Sequence, residues 1–126
     1  MNVSFVNVAV AQNIPRISEA EYLRLELGAE SRSEYFDGEI FAMAGGTRAH
    51  SLIATNLAGE LRNALKGTDC VAYNTALRVK VEATGLLTYP DVSVVCSEQR
   101  FLDDEDDTLL NPTVIIEVLS GFQRGV

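Results

Sequence analysis

Glu117 stands in the run Thr113-Val114-Ile115-Ile116-Glu117-Val118-Leu119. A carboxylate among β-branched apolar residues is costly unless it is paired, protonated or bound to a cation. Two placements fit the pattern. One is a strand buried on both faces, where Glu117 has no route to water; the other is the polar face of a half-exposed edge strand. Asp91 follows Pro90 at the mouth of a second strand, where a turn-forming Asp is also common. Neighbouring strands would bring the two carboxylates to one Mg²⁺, which takes one or two carboxylates and several waters. Such an ion activates water and stabilises charge developing on a phosphoryl oxygen. Glu39 is a third candidate acid, just after a hairpin turn. His50 is the single histidine and stands early in a helix, where it could serve as base or donor. One histidine excludes a multi-histidine zinc site.

Other constellations carry less chemistry. The acidic run Asp103-Asp104-Glu105-Asp106-Asp107 lacks the glycine and spacing of a calcium loop and reads as a solvated loop. Ala44-Gly45-Gly46-Thr47 precedes a helix but has no lysine, so it reads as a connection rather than a P-loop. Ser51 and Ser93 lack a nucleophile-elbow context. Cys70 and Cys96 form no Cys-x-x-Cys and read as thiols of a reduced, cytoplasmic protein.

The elements that must position these groups follow from periodicity and punctuation. Ser18, with Glu21 three residues on, makes a capping box for a first helix that stops near Gly28. Asp37-Gly38 between β-forming flanks signals a hairpin. Thr47 caps a second helix to about Lys66, with Ile53, Leu57, Leu61, Ala64 and Leu65 as its apolar stripe. A strand follows near Val71–Tyr73. Leu77 to Glu82 alternates as a half-buried strand, with Arg78, Lys80 and Glu82 on its polar face. Gly85 marks a turn and Asp91–Cys96 a strand. Ser97–Pro112 reads as a long acidic loop with a helical turn near Phe101, and Thr113–Leu119 as a last strand. The order of helix, hairpin, helix and further strands specifies an α/β (α+β) class.

Composition bounds the functions. The 126 residues suit one domain, with 47% hydrophobic and 22% charged residues, which excludes a disordered chain. No apolar run reaches the ~20 residues of a membrane helix. Met1–Gln12 is mildly apolar but has no Lys or Arg, so it reads as a tail or an added strand rather than a signal peptide. Net charge is −8, much of the excess lying in the acidic run. An acidic surface repels phosphate backbones, so it disfavours a constitutive nucleic-acid binder. It leaves room for an enzyme that places a metal between its own carboxylates and a phosphate.

Four segments occur in a telling order: Glu34-Tyr35-Phe36-Asp37-Gly38-Glu39-Ile40; Met43-Ala44-Gly45-Gly46-Thr47 with His50; Tyr89-Pro90-Asp91-Val92; and Ile116-Glu117-Val118-Leu119-Ser120. Together they resemble the Uma-type family of bacterial restriction-endonuclease-like proteins, within the PD-(D/E)XK nuclease superfamily. The resemblance covers about Ile17 to Ser120, with residues 1–16 as an extension and 17–126 as the domain. It implies a mixed β-sheet flanked by helices. It implies that Asp91 and Glu117 hold Mg²⁺ or Mn²⁺, with Glu39 as an additional acidic position and His50 at a position commonly His. The superfamily lysine, two residues after the second acid, is Leu119 here. Lys80 is the substitute if its strand neighbours that of Asp91; otherwise it is a solvated strand lysine. The expected C-terminal third, with its helix and further strands, has no counterpart before Val126. An incomplete sheet exposes an edge and apolar area, which predicts a homo-oligomer.

The leading expectation is therefore a metal-dependent endonuclease with DNA as the candidate partner. The alternative is a catalytically inactive, truncated nuclease-derived domain acting as an interaction or regulatory module. A third reading is a hydrolase of small phosphorylated metabolites.

Overall fold

The computed structural model describes residues 15–119. The expected Met1–Gln12 tail and the residues after Leu119 lie outside the described part. Helix α1 (Glu19–Leu27) starts as its cap predicts: the Ser18 hydroxyl accepts from the Glu21 N–H at 3.1 Å, and Gly28 ends the helix. Glu21 does not close the box but turns to Arg24, whose Nε donates to it at 3.0 Å. Strands β1 (Ser33–Phe36) and β2 (Glu39–Ala42) form the predicted hairpin, pairing Phe36 with Glu39 across a two-residue turn. Asp37 and Gly38 both have positive φ, 51° and 86°, as such a turn demands. A Cβ on Gly38 would come within 2.9 Å of Arg16, and the Ile17 N–H donates to the Gly38 carbonyl at 3.0 Å. Arg16, assigned by sequence to the extension, is thus bound to the hairpin, where it also pairs with Asp37.

Helix α2 (Arg48–Ala64) is capped by Thr47, whose hydroxyl accepts from the His50 N–H at 3.1 Å. It packs on β3 (Val71–Asn74) and β6 (Val92–Val95). Its apolar stripe is less covered than periodicity implies: Leu57 and Leu61 are half-buried and Ile53 is exposed. Strands β4 (Arg78–Val81) and β5 (Leu86–Thr88) make a second hairpin around Gly85. β5 has no counterpart among the expected strands, because Leu86-Leu87-Thr88 is too short to alternate visibly. Within the expected loop Ser97–Pro112, β7 (Thr108–Leu109) pairs parallel with β4, and Phe101 makes a bridge to Leu109 instead of starting a helical turn. Strand β8 (Val114–Ile116) is the last strand among the described residues.

The strands divide into a mixed five-stranded sheet, ordered β2-β1-β5-β4-β7, and an antiparallel three-stranded sheet, β3-β6-β8. One core cluster joins Tyr22, Tyr35 and Leu87; another joins Val79, Val95 and Leu109, linking the sheets. Arg78 departs from its predicted polar face and is buried at 8% exposure. Cys70 and Cys96, expected as thiols, are joined in a disulfide. Val71 faces Val95 in the β3–β6 register, so the two cysteines occupy the next opposed position, which spacing along the chain does not reveal. Among the described residues no helix is long and apolar enough to cross a membrane.

Candidate active site

The β6–β8 register decides where the two acids go. Val92 faces Ile116, so Asp91 and Glu117 fall opposite one another one step further along the ladder. Opposed antiparallel residues carry Cβ atoms about 4.5–5.5 Å apart. Asp91 lies just before β6, and Pro90 before it is fully buried. Its Oδ2 accepts from the Val118 N–H at 2.7 Å, which ties the first acid to the segment bearing the second. β8 is the edge of its sheet among the described residues, and Glu117 follows its last residue at the cleft mouth, open to solvent. The edge-strand placement thus replaces the doubly buried one. Partial desolvation, then the charges of Asp91 and Glu34, raise the Glu117 carboxyl above its ordinary value; the Asp91 backbone and His50 pull the other way.

His50 comes from the first turn of α2. Its Nε2 lies 3.0 Å from Asp91 Oδ1, and both side chains are largely buried. The ring's Nδ1 is buried without a partner among the described residues. Gly46 makes room for this ring, since a Cβ there would approach His50 Cδ2 to 3.1 Å. Asp91, Glu117 and His50 line a cleft of about 660 Å³, together with Arg32, Thr75 and Tyr89.

Support comes from behind Tyr89. Its hydroxyl donates to Glu26 Oε2 at 2.7 Å and accepts from Arg78 Nη1 at 3.1 Å. Arg78 also donates to the Thr108 hydroxyl at 2.8 Å and lies 3.4 Å from Asp107. Burial, and then the bond to Glu26, push the Tyr89 phenol up. The network anchors the chain immediately before Pro90-Asp91 to α1, β4 and β7.

Two predicted site residues lie elsewhere. Glu39 is exposed beside the hairpin turn, near Arg16, because the Asp37-Gly38 turn carries it to the outer end of β2. Lys80 is not beside Asp91, because β4 neighbours β5 and β7 in the other sheet; its Nζ pairs with Glu19 at 2.9 Å. Glu34, part of the hairpin motif in the sequence, is not among the expected site residues. It stands next to buried Tyr35 and so on the opposite face of β1, where it accepts from the Thr88 hydroxyl and acts on Glu117. Strand alternation around Tyr35 was the available signal.

No group of three or more His, Cys, Asp or Glu side chains among the described residues converges as a ready-made metal site. The donor chemistry nonetheless suits a hard divalent cation, because two opposed carboxylates with water match the preference of Mg²⁺.

Residues 19–124 match the Uma2 family model, described as "Putative restriction endonuclease". The chain belongs to this family. Similar sequences include two uncharacterized proteins of Synechocystis sp. One, slr1290, is 39% identical over 88% of this chain and 60% of its own length. The other, sll1609, is 32% identical over 86% and 62%. The crystal structure of "a putative nuclease belonging to DUF820" from Anabaena variabilis is similar with a TM-score of 0.65, at 26% identity over 85% of this chain and 60% of that one. The chain thus spans about three-fifths of the length of these relatives. The restriction-endonuclease-like, mixed α+β class expected from sequence matches this Uma2 chain.

Proposed function

We propose that the cleft of this Uma2-family chain hydrolyses nucleic-acid phosphodiester bonds, with DNA as substrate. The observation that carries this reading is the opposed pair Asp91 and Glu117 at the end of the β6–β8 ladder. Asp91 and Glu117 hold Mg²⁺ or Mn²⁺, and Glu34 adds negative charge beside them. A divalent cation held there supplies Lewis-acid stabilisation of phosphoryl charge and lowers the pKa of water. His50 fixes Asp91 Oδ1, and the Val118 N–H fixes Oδ2, so the carboxylate plane is set before any ion arrives. Glu39 and Lys80 have no part in this reading, since neither lines the cleft.

Nicking of supercoiled plasmid with Mn²⁺ tests the proposal. Wild type should nick, and Asp91→Ala and Glu117→Ala should not. Nicking that survives in both variants sinks it. A second reading, the inactive interaction module, is favoured by one observation: among the described residues no lysine lines the cleft. Folded wild type that fails to nick at high concentration, yet captures a protein partner selectively, would establish that reading.

We further propose that the chain self-associates through apolar surface, for which exposed Ile40, Phe41, Leu52 and Ile53 provide the area. A monomer in sedimentation at micromolar concentration refutes this. A cytoplasmic location is also proposed, and it demands that the Cys70–Cys96 disulfide of this structure be opened to two thiols in the cell. Thiol titration of denatured protein, alkylated at lysis, should find two free groups; none would place the chain in an oxidising compartment.

A further inference from the structure

The cleft has acids in excess, yet its proposed substrate is an anion. Among the described residues, Arg16, Arg24, Arg78, Arg100 and Lys80 each pair with a carboxylate. Arg32 does not, and it lines the same cleft as Asp91 and Glu117. It sits just before β1, with its guanidinium carbon 4.9 Å from the centroid of the Tyr89 ring. Its Nη1 donates to the Thr75 carbonyl, and the Thr75 hydroxyl donates to the Tyr89 carbonyl at 3.1 Å. A guanidinium has five N–H donors, and among the described residues only one of them is engaged. Stacking on an aromatic ring and bonding to a carbonyl hold its plane without neutralising its charge.

We infer that Arg32 is the cleft's phosphate contact, donating to a non-bridging oxygen of the bound phosphodiester. This rests on the nuclease reading of the cleft and names the chain's own group that meets the anion. Arg32 takes the electrostatic part that Lys80, paired with Glu19 in the other sheet, cannot take. Tyr89 and Thr75 act as its positioning residues. Tyr89 is one residue from Pro90, so the network that sets Asp91 also sets the guanidinium.

The test is the affinity of the full chain for a fluorescent 12-base-pair DNA duplex, read by anisotropy across a salt series, in Arg32→Gln, Arg32→Lys and wild type. Gln keeps a donor for the Thr75 carbonyl and removes the charge. Arg32→Gln should bind about five- to tenfold more weakly, as for loss of one charge-assisted contact. Its slope of log K against log salt should be shallower by about one. Arg32→Lys should restore the slope with only part of the affinity. Unchanged affinity and slope in folded Arg32→Gln overturn the inference. If Arg32→Gln does not fold, phenylglyoxal modification of wild-type Arg32 decides: the duplex should slow it several-fold, and equal rates overturn the inference. Wild type that nicks plasmid while Arg32→Gln binds normally removes the role of Arg32 alone. Wild type that binds through Arg32 but never nicks removes the nuclease reading and keeps the contact. Wild type that does neither removes both.

Discussion

Two charged clusters meet at Tyr89-Pro90-Asp91, and they are wired differently. Toward the five-stranded sheet, Arg78 is buried but surrounded by complements: Thr108, the Tyr89 hydroxyl and Asp107. Glu26 likewise accepts from Tyr89 and from the Ser33 N–H at 2.8 Å. Toward the three-stranded sheet, Glu117 faces Asp91 and feels Glu34, which are like charges. One cluster offsets its desolvation within the fold. The other leaves an excess of negative charge that only a proton or a cation would offset. Such imbalance, sited in a cleft, marks function more often than stability.

The contrast predicts separable phenotypes. Asp91→Ala should give the largest effect on plasmid nicking, a loss of at least about 10²–10³-fold in rate, the scale of removing a principal electrostatic contact. Its urea midpoint should move little by comparison. Arg78→Met should do the reverse at the level of the fold. Breaking a buried charge network costs about 3–5 kcal/mol, because Asp107 and the Tyr89 hydroxyl lose their partner. Equilibrium urea unfolding measures this loss. A variant with Arg78→Met and an unchanged midpoint would erase the distinction between the clusters.

Most of the element order was legible in the sequence, because caps and turns are local. Ser18, Thr47 and Asp37-Gly38 act where the sequence places them. The Asp91–Glu117 pair was reached through the family resemblance, since a Pro-Asp and an acid inside an apolar strand each suit a strand but name no partner. Sheet membership was not legible. Lys80 alternates correctly along β4, yet nothing in Leu77–Glu82 says that the neighbours are β5 and β7 rather than β6. Glu39 shows the same limit, because nothing in the hairpin motif says that β2 is the edge strand of the other sheet. The disulfide between Cys70 and Cys96 depends on the β3–β6 register, which is likewise non-local.

A milder test acts on the helix that delivers His50. Thr47→Ala removes the N-cap acceptor of the His50 N–H and should cost about 1 kcal/mol of stability. Because His50 holds Asp91, nicking should fall as well, though less than in Asp91→Ala. Thermal melts and nicking rates on the same preparation separate the two consequences. Lost stability with unchanged nicking would show that the cap serves the helix alone.

The smallest effect, and the one most specific to the comparison, is on Glu117 itself. Its carboxyl is raised above the ordinary value by partial desolvation and by Asp91 and Glu34. The folded state therefore holds that proton more tightly than the unfolded state. As pH rises from the ordinary carboxylate range through the raised value, the unfolded chain ionises first and stability falls. Above the raised value the full penalty is in place. Glu117→Gln removes it, so without divalent metal the variant should melt higher than wild type at pH 7. The gain should be no more than about 1–3 °C, since solvent screens an open carboxylate. At pH 4 the difference should shrink toward zero, and at pH 7 Mg²⁺ should narrow it by stabilising wild type alone. Glu117→Gln that melts below wild type at pH 7 without metal would mean that Glu117, like Arg78, has its complement inside the fold.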